Sequence, residues 1–500
     1  MSTADPHTAP GSSSQDPISL SKGDPDRRWW ILAVVGVVQL MVILDATIVN
    51  IALPSAQLDL DFSDGNRQWV ITAYALAFGS LLLLGGRLGD LFGHKQAFVI
   101  GLVGFAVASA VGGAANGFGM LVAARAVQGV FAALLAPTAL SVLTTTFTAP
   151  KDRAKAFGIF GAIAGAGGAI GLLLGGVLTE YLNWRWCLYV NVAFALFGLV
   201  GGVLLLNRVR TARPTFDVPG TLLAVCGLFS MVYGFSNAER EDWSAPATWG
   251  CLVVSVVLLT LFGWWQTRAA HPLLPVRIVL DRNRAASYLS VLVAGAGLFG
   301  ISLFLTYYLQ ATLGYSPLKT GFAFLPMIGI MVVTAMPTQN LVLPKVGPRP
   351  LVPLGMALAV GALAWLSTLD LESGYAGSVL PPLLVMGVAL GLIMPCAMNM
   401  ATFGVAPSDA GAASATVNTM QQVGGSIGTA LLNTLATRAA SDYVAGKPPT
   451  PRLVAEAHME SYTTAFTWSA VIFGIGLVVS AALYRKGRVQ PQSPQDAPGH

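Results

Sequence analysis

The sequence predicts an all-α polytopic membrane protein: about fourteen membrane-crossing helices, arranged as two six-helix pseudo-repeat halves with an inserted helix pair between them. Three observations carry this. Of the 500 residues, 54% are hydrophobic and 10% are charged, against roughly 25% charged in soluble domains. Apolar runs of the ~20 residues needed to cross a hydrocarbon core about 30 Å thick recur along the chain. Short stretches near the start return near the end at almost one offset, the mark of a duplicated unit.

Residues 1–28, "MSTADPHTAPGSSSQDPISLSKGDPDRR", are polar and rich in Pro and Ser. They lack the basic start, short apolar core and cleavage site of a signal peptide, so a disordered tail is expected. The apolar runs follow at 29–50, 69–88, 97–115, 118–142, 154–178, 185–206, 217–236, 248–267, 286–311, 318–340, 348–368, 378–403, 411–437 and 463–484, and residues 485–500 form a second polar tail. Cys187, Cys226, Cys251 and Cys396 fall in apolar segments without the close pairing of metal sites. They read as small buried hydrophobes, and no metal or cofactor is expected.

Charge orients the chain. With the first tail inside, that side holds 20 of the 28 Lys and Arg, the far side holds 7, and Arg125 lies within a span. Lys and Arg gather in cytoplasmic loops, which places both termini in the cytoplasm; a multi-pass protein of the cytoplasmic (inner) membrane is expected. The formal charge of +5 follows from this asymmetry and calls for no nucleic-acid partner.

The repeat fixes the domains. "APKDRA" (149–154) returns as "APSDAG" (406–411), and "GGAIG" (167–171) as "GGSIG" (424–428), both 257 residues on. "GRLGDLFGHK" (86–95) has an echo in "NLVLPKVGPR" (340–349), with Gly93 answered by Gly347 and Lys95 by Arg349. Spans one to six (29–206) thus correspond to spans nine to fourteen (286–484). Segment 207–285 contributes linkers and the inserted pair, whose two spans are joined by "AEREDW" (238–243).

Two patterns mimic enzymes. "GGSIG" fits the G-x-S-x-G elbow of a serine hydrolase, and "GAGLFG" (295–300) fits the dinucleotide fingerprint. Both lie inside long apolar runs with no preceding strand, and Ser426 is answered in the repeat by Ala169. Small residues at this density serve close helix packing, so a membrane-embedded hydrolase using Ser426 is the remote alternative. Without a P-loop or an H-E-x-x-H helix, ATP-driven transport and metalloprotease chemistry are also excluded.

Asp45 interrupts the first apolar run. A membrane carboxylate costs about 2.5–3.5 kcal/mol on insertion scales and persists where it faces a protein interior or a water cavity, often as a proton relay. Apolar surroundings raise its proton affinity, and water or a nearby cation lowers it, so changing access changes proton occupancy. Asp90, Gly93 and Lys95 occupy a short loop instead. Asp90 can accept hydrogen bonds at a helix N-terminus and Lys95 can meet the opposite half, which would gate between two states.

These stretches resemble the major facilitator superfamily, and within it the fourteen-helix drug:proton antiporters of the EmrB/QacA type. "LDATIVNIALP" (44–54) is similar to that branch's first-helix signature and "GRLGDLFGHK" to the superfamily loop motif. "RAVQGVFAA" (125–133) resembles the fourth-helix motif, with Arg125, Gln128 and Gly129 in place, and "WRWCLYVN" (184–191) resembles a further stretch of the branch. The resemblance implies proton-coupled efflux of amphipathic antibiotics or other toxic small molecules by alternating access, with Asp45 as proton carrier and Arg125 as the cation favouring release. The partners would be a lipophilic substrate, protons and the bilayer, and the working unit a monomer. The alternative is a dedicated exporter of one self-made metabolite.

Departures matter. The branch's fifth-helix motif, G-x-x-x-G-P-x-x-G-G, here reads "GGAIGLLLGG" (167–176), with Leu172 in place of proline. Gly167, Gly171, Gly175 and Gly176 remain, so tight packing is expected without the usual bend. The loop motif carries Leu91 and His94 at two usually basic positions, which weakens any charge latch. The repeat logic lines the cavity with spans one, two, four, five, nine, ten, twelve and thirteen. That brings in Tyr74, Tyr307, Tyr308, Gln310, Met394, Met398, Asn399, Asn418, Gln421 and Gln422, an adaptable aromatic, Met and amide surface.

Overall fold

The computed structural model describes residues 25–62, 64–207, 217–240, 243–406, 409–448 and 450–485. The expected tails at 1–24 and 486–500 and the basic linker with Arg208, Arg210 and Arg213 lie outside the described residues, as do the side chains of Ala169 and Leu172.

Fourteen helices of 19 residues or more run through the described chain, with no strand among them. They are α1 (Pro25–Leu60), α2 (Asp64–Phe92), α3 (His94–Gly113), α4 (Phe118–Thr146), α5 (Pro150–Tyr181), α6 (Trp186–Leu205) and α7 (Val218–Arg240). There follow α8 (Pro246–Gln266), α9 (Arg282–Tyr307), α10 (Pro317–Pro337), α11 (Pro348–Leu366), α12 (Leu380–Thr402), α13 (Ala410–Val444) and α14 (Pro451–Leu483). Helices dominate because lipid offers no partner for a bare N–H or C=O. Among the described residues twelve are long and apolar enough to cross a membrane. α13, rich in Ser, Thr, Asn and Gln, falls short.

Several helices outrun the expected spans. α1 continues to Leu60, α13 to Val444, and α14 starts at Pro451. An apolar run marks the hydrocarbon crossing, whereas a helix continues into the wet interface wherever propensity allows. The extensions put Asp442, Glu456 and Glu460 on helices beyond the expected spans; Glu456 accepts from Arg452 Nε at 2.9 Å and Tyr443 Oη at 3.0 Å.

Packing repeats. α1 lies against α5 and α6, α2 against α4, and α3 against α4 and α6; likewise α9 lies against α13 and α14, α10 against α12, and α11 against α12 and α14. Gly93 (φ 86°) and Gly347 (φ 77°) both turn the chain through the left-handed region that favours glycine, which explains why this pair survives in a degraded echo. The two sets meet where α2 and α4 touch α13 and where α5 touches α10 and α12. The inserted α7 and α8 pack together, with α7 against α2 and α13. Their feet are tied by Asp217, whose carboxylate accepts from Gly220 N, Trp265 Nε1 and Gln266 Nε2 at 2.9 Å each.

Candidate functional site

The first set encloses a polar knot. Arg125 and Gln128, three apart on α4, share one face that looks at α1. Arg125 Nη1 donates to Asp45 Oδ2 at 2.6 Å and to Gln128 Oε1 at 3.0 Å, while Gln128 Nε2 donates to Asp45 Oδ1 at 3.1 Å and to Ser109 Oγ at 2.8 Å. Asn191 on α6 adds Nδ2 to Asp45 Oδ1 at 2.6 Å. Asp45, Gln128 and Asn191 are 0% exposed and Arg125 is 1% exposed. On the far side, Tyr74 lies under the guanidinium, 4.3 Å from its ring centroid, and Arg125 Nε donates to Val70 O at 3.3 Å. Removing one partner of such a pair leaves an uncompensated buried charge, at a cost of about 3–5 kcal/mol.

Glycines close the helices around it. A Cβ on Gly129 would sit 2.5 Å from Tyr74 O, so only glycine lets α2 approach α4 here. On α5, a Cβ at Gly167 would press Ile43, one at Gly171 would collide with Thr47 and lie 3.1 Å from Leu44 O, and one at Gly175 would meet Ile48. These three form one stripe against the α1 segment that carries Asp45. Gly176 faces Leu318 N of α10 at 4.0 Å instead.

Beyond the knot, Val49, Ala52, Leu53, Val70, Leu121 and Trp184 line a small apolar void. Trp184 Nε1 and Arg185 Nη2 both donate to Asp59, at 3.0 and 2.8 Å, and Arg185 Nη1 holds Ala115 O at 2.6 Å. The "WRWCLYVN" stretch thus clamps one end of the first set with its Trp and Arg and reaches Asp45 with its Asn.

At the opposite end the two sets touch through side chains. Asp90 Oδ1 accepts the Gly411 N–H in the first turn of α13 at 3.1 Å and lies 3.5 Å from His94 Nε2. Arg153 on α5, 7% exposed, donates to Asn399 Oδ1 at 3.0 Å and to Thr402 Oγ1 at 2.8 Å, both on α12. Lys95 does not cross. Its Nζ donates to Val203 O of its own set at 2.7 Å, because its helix leaves the Gly93 turn pointing back toward α6.

The expected cavity residues do not form one surface. Tyr74 belongs to the knot, Tyr308 is buried with Oη donating to Ser373 O at 2.6 Å, and Asn399 is spent between Arg153 and Gln339. Asn418, buried, donates to Ser414 O of its own helix. Met394 and Met398 are buried, Gln310, Gln421 and Gln422 are half-buried, and Tyr307 is exposed. Ser426 Oγ merely returns to Gln422 O, one turn back.

Asn191 and Arg153 went unmarked by sequence reasoning. A polar Asn inside an apolar span was the available signal for the first. For the second it was the asymmetry of "APKDRA" and "APSDAG", which leaves Arg153 opposite Ala410.

Two six-helix sets with one packing scheme, meeting along a seam, the first enclosing a buried ion pair, define a membrane transporter. The chain belongs to the Major Facilitator Superfamily, which matches residues 35–429. It is 48% identical over 466 residues to the puromycin resistance protein of Streptomyces alboniger, covering 92% of this chain and 91% of that one. It is 38% identical over 399 residues to the cephamycin export protein of Amycolatopsis lactamdurans (79% and 82% covered). It is 34% identical over 444 residues to the tetracenomycin C resistance and export protein of Streptomyces glaucescens (88% and 81% covered). A solved human organic anion transporter shares the fold, with TM-score 0.59 and 16% identity over 91% of this chain and 100% of that one.

Proposed function

We propose that this chain exports amphipathic antibiotics or other toxic small molecules across the cytoplasmic membrane in exchange for protons. The observation that carries the coupling is Asp45, wholly buried on a membrane helix yet held by a cation and two amides. A carboxylate in apolar surroundings takes a proton when its cation leaves and gives it up when the cation returns. Relative movement of α1 and α4 therefore links proton occupancy to conformation. Alternating access runs between 29–206 and 286–484, both termini face the cytoplasm, and a monomer suffices. In that orientation the Asp90 to Gly411 and Arg153 to Asn399 contacts close the cytoplasmic side, with Gly93 turning the chain from α2 into α3 beside Asp90. The relatives named for antibiotic resistance and export support the substrate class.

A second reading, a dedicated exporter of one compound, draws on relatives each named for a single antibiotic. Killing curves across a panel of antibiotics and dyes, puromycin included, separate a broad exporter from a narrow one. For the coupling, Asp45→Asn keeps the shape and removes titration, so it inserts normally but loses drug-induced proton movement in vesicles. Full exchange by that variant would defeat the assignment.

A further inference from the structure

We infer that Asn191 is a positioning residue that serves both protonation states of Asp45 by turning its amide. The inference rests on the proton-carrier reading of Asp45 and deepens it. Ionised, Asp45 needs donors, and it has them: Arg125 on one oxygen, Gln128 and Asn191 on the other. Protonated, it carries an O–H that needs an acceptor within the knot.

Among the described residues, the other groups around it already hold partners. Arg125 has no acceptor, Gln128 Oε1 is engaged by Arg125, and Ser109 Oγ is engaged by Gln128. Asn191 Oδ1 is the exception, since it is buried and has no hydrogen-bond partner among the described residues. A buried polar atom left unpaired is costly, and this one sits on the amide whose other end already touches the carboxylate at 2.6 Å. A half-turn about Cβ–Cγ exchanges Nδ2 for Oδ1. A proton arriving at Asp45 Oδ1 forms an O–H bond, the carboxylate charge is lost, and the rotated Asn191 Oδ1 accepts that O–H. On release the proton leaves to water, the charge returns, and the amide turns back to donate. The other titratable or charged groups facing Asp45 in the knot are Arg125 from α4 and Tyr74 from α2; α6 presents only the neutral Asn191.

Asn191 therefore lowers the barrier to both proton uptake and release rather than favouring one charge state. Asn191→Leu, similar in shape, slows drug-driven proton exchange about tenfold while leaving the pH midpoint of transport nearly in place, because it removes a partner from each state. A residue that only stabilised the carboxylate would move the midpoint upward by about one unit on the same change, and mere packing would leave both rate and midpoint alone. Asn191→Gln keeps both amide functions and recovers most of the rate.

Infrared difference spectroscopy of the reconstituted protein, stepped from high to low pH, reads the amide directly. In the wild type the protonated-carboxyl band appears together with a shift in a side-chain amide carbonyl band, and 13C-asparagine labelling moves the latter. In Asn191→Leu the amide change disappears and the carboxyl band rises in frequency. A carboxyl band unchanged by Asn191→Leu, or an amide band insensitive to the label, overturns the inference while leaving Asp45 as carrier. A carboxyl band that persists in Asp45→Asn overturns the carrier reading itself. Where Asn191→Leu fails to insert, labelled Asn191→Gln decides the matter: its side-chain amide band persists but no longer moves with the asparagine label, and a band that still moves overturns the inference.

Discussion

Asp45 and Arg153 are both buried charges, but they are buried differently. Asp45 lies inside one six-helix set against a full counter-charge, whereas Arg153 lies at the seam between sets and touches neutral groups, Asn399 and Thr402, in the other set. A carboxylate can change charge in a changing environment; a guanidinium, with its intrinsic affinity for its proton above ~12, keeps it. The first arrangement suits proton coupling and the second suits a hydrogen-bonded latch that opens and closes at constant charge. Asp217 completes the contrast. It is buried against neutral donors at the feet of the inserted pair and bridges neither set to the other.

The sharpest way to break this contrast is to remove the counter-charge. Arg125→Ala leaves Asp45 buried and unpaired, a destabilisation of about 3–5 kcal/mol, and transport falls more than ~100-fold; Arg125→Lys keeps a cation but loses the fork to Gln128 and the stacking on Tyr74, for a loss of about tenfold. Thermal unfolding and vesicle transport would show it, and equal, mild effects of both variants would reduce Arg125 to packing. Next comes substrate charge. On the carrier reading of Asp45, with about one proton per cycle, exporting a neutral compound moves one charge inward, favoured by ~2.3 kcal/mol per 100 mV, whereas a dication is opposed by as much. Proteoliposomes under an imposed potential should export the neutral analogue faster, and equal rates would point to a second carrier.

Gly171→Val tests the stripe that presses α1 into the knot. The added side chain strikes Thr47 and the Leu44 carbonyl, costs about 1–3 kcal/mol and slows transport about tenfold, with the loss partly recovered by Thr47→Ala. No loss would mean that α1 and α5 separate freely. Arg153→Gln should slow transport only a few-fold, leave its pH profile in place and widen the distance between spin labels at Lys151 and Ala406, since charged hydrogen bonds of about 1.5–3 kcal/mol no longer hold that end shut. A shifted pH profile would contradict the constant-charge latch. Smallest of all, Asp217→Asn should lower the melting temperature by a few degrees and keep transport within about twofold, measured by calorimetry and vesicle assay. A larger transport loss would give the inserted pair a part in the cycle.

Much of this was legible along the chain because it depends on local chemistry. Apolar length marks a crossing, Gly93 and Gly347 mark turns that need positive φ, and a lone Asp45 in an apolar run announces itself by its cost. Helix ends were less legible, since α1, α13 and α14 continue past the point where apolar residues stop.

What the sequence by itself determined was the class of solvent, the number and order of long helices, the duplicated pattern and the presence of Asp45 and Arg125 inside apolar runs. Only the tertiary structure decided which polar groups meet. Asn191 stands 146 residues from Asp45 and Arg153 stands 246 from Asn399, while Lys95, Tyr308 and Asn399 turned to partners other than those expected. The reason is physical. Burying an apolar side chain is favourable against almost any neighbour, so hydropathy can be read without knowing the fold, but a hydrogen bond exists only where donor and acceptor are brought within about 3 Å, and that distance is set by how α1, α4, α5 and α6 pack, not by the order of residues along them.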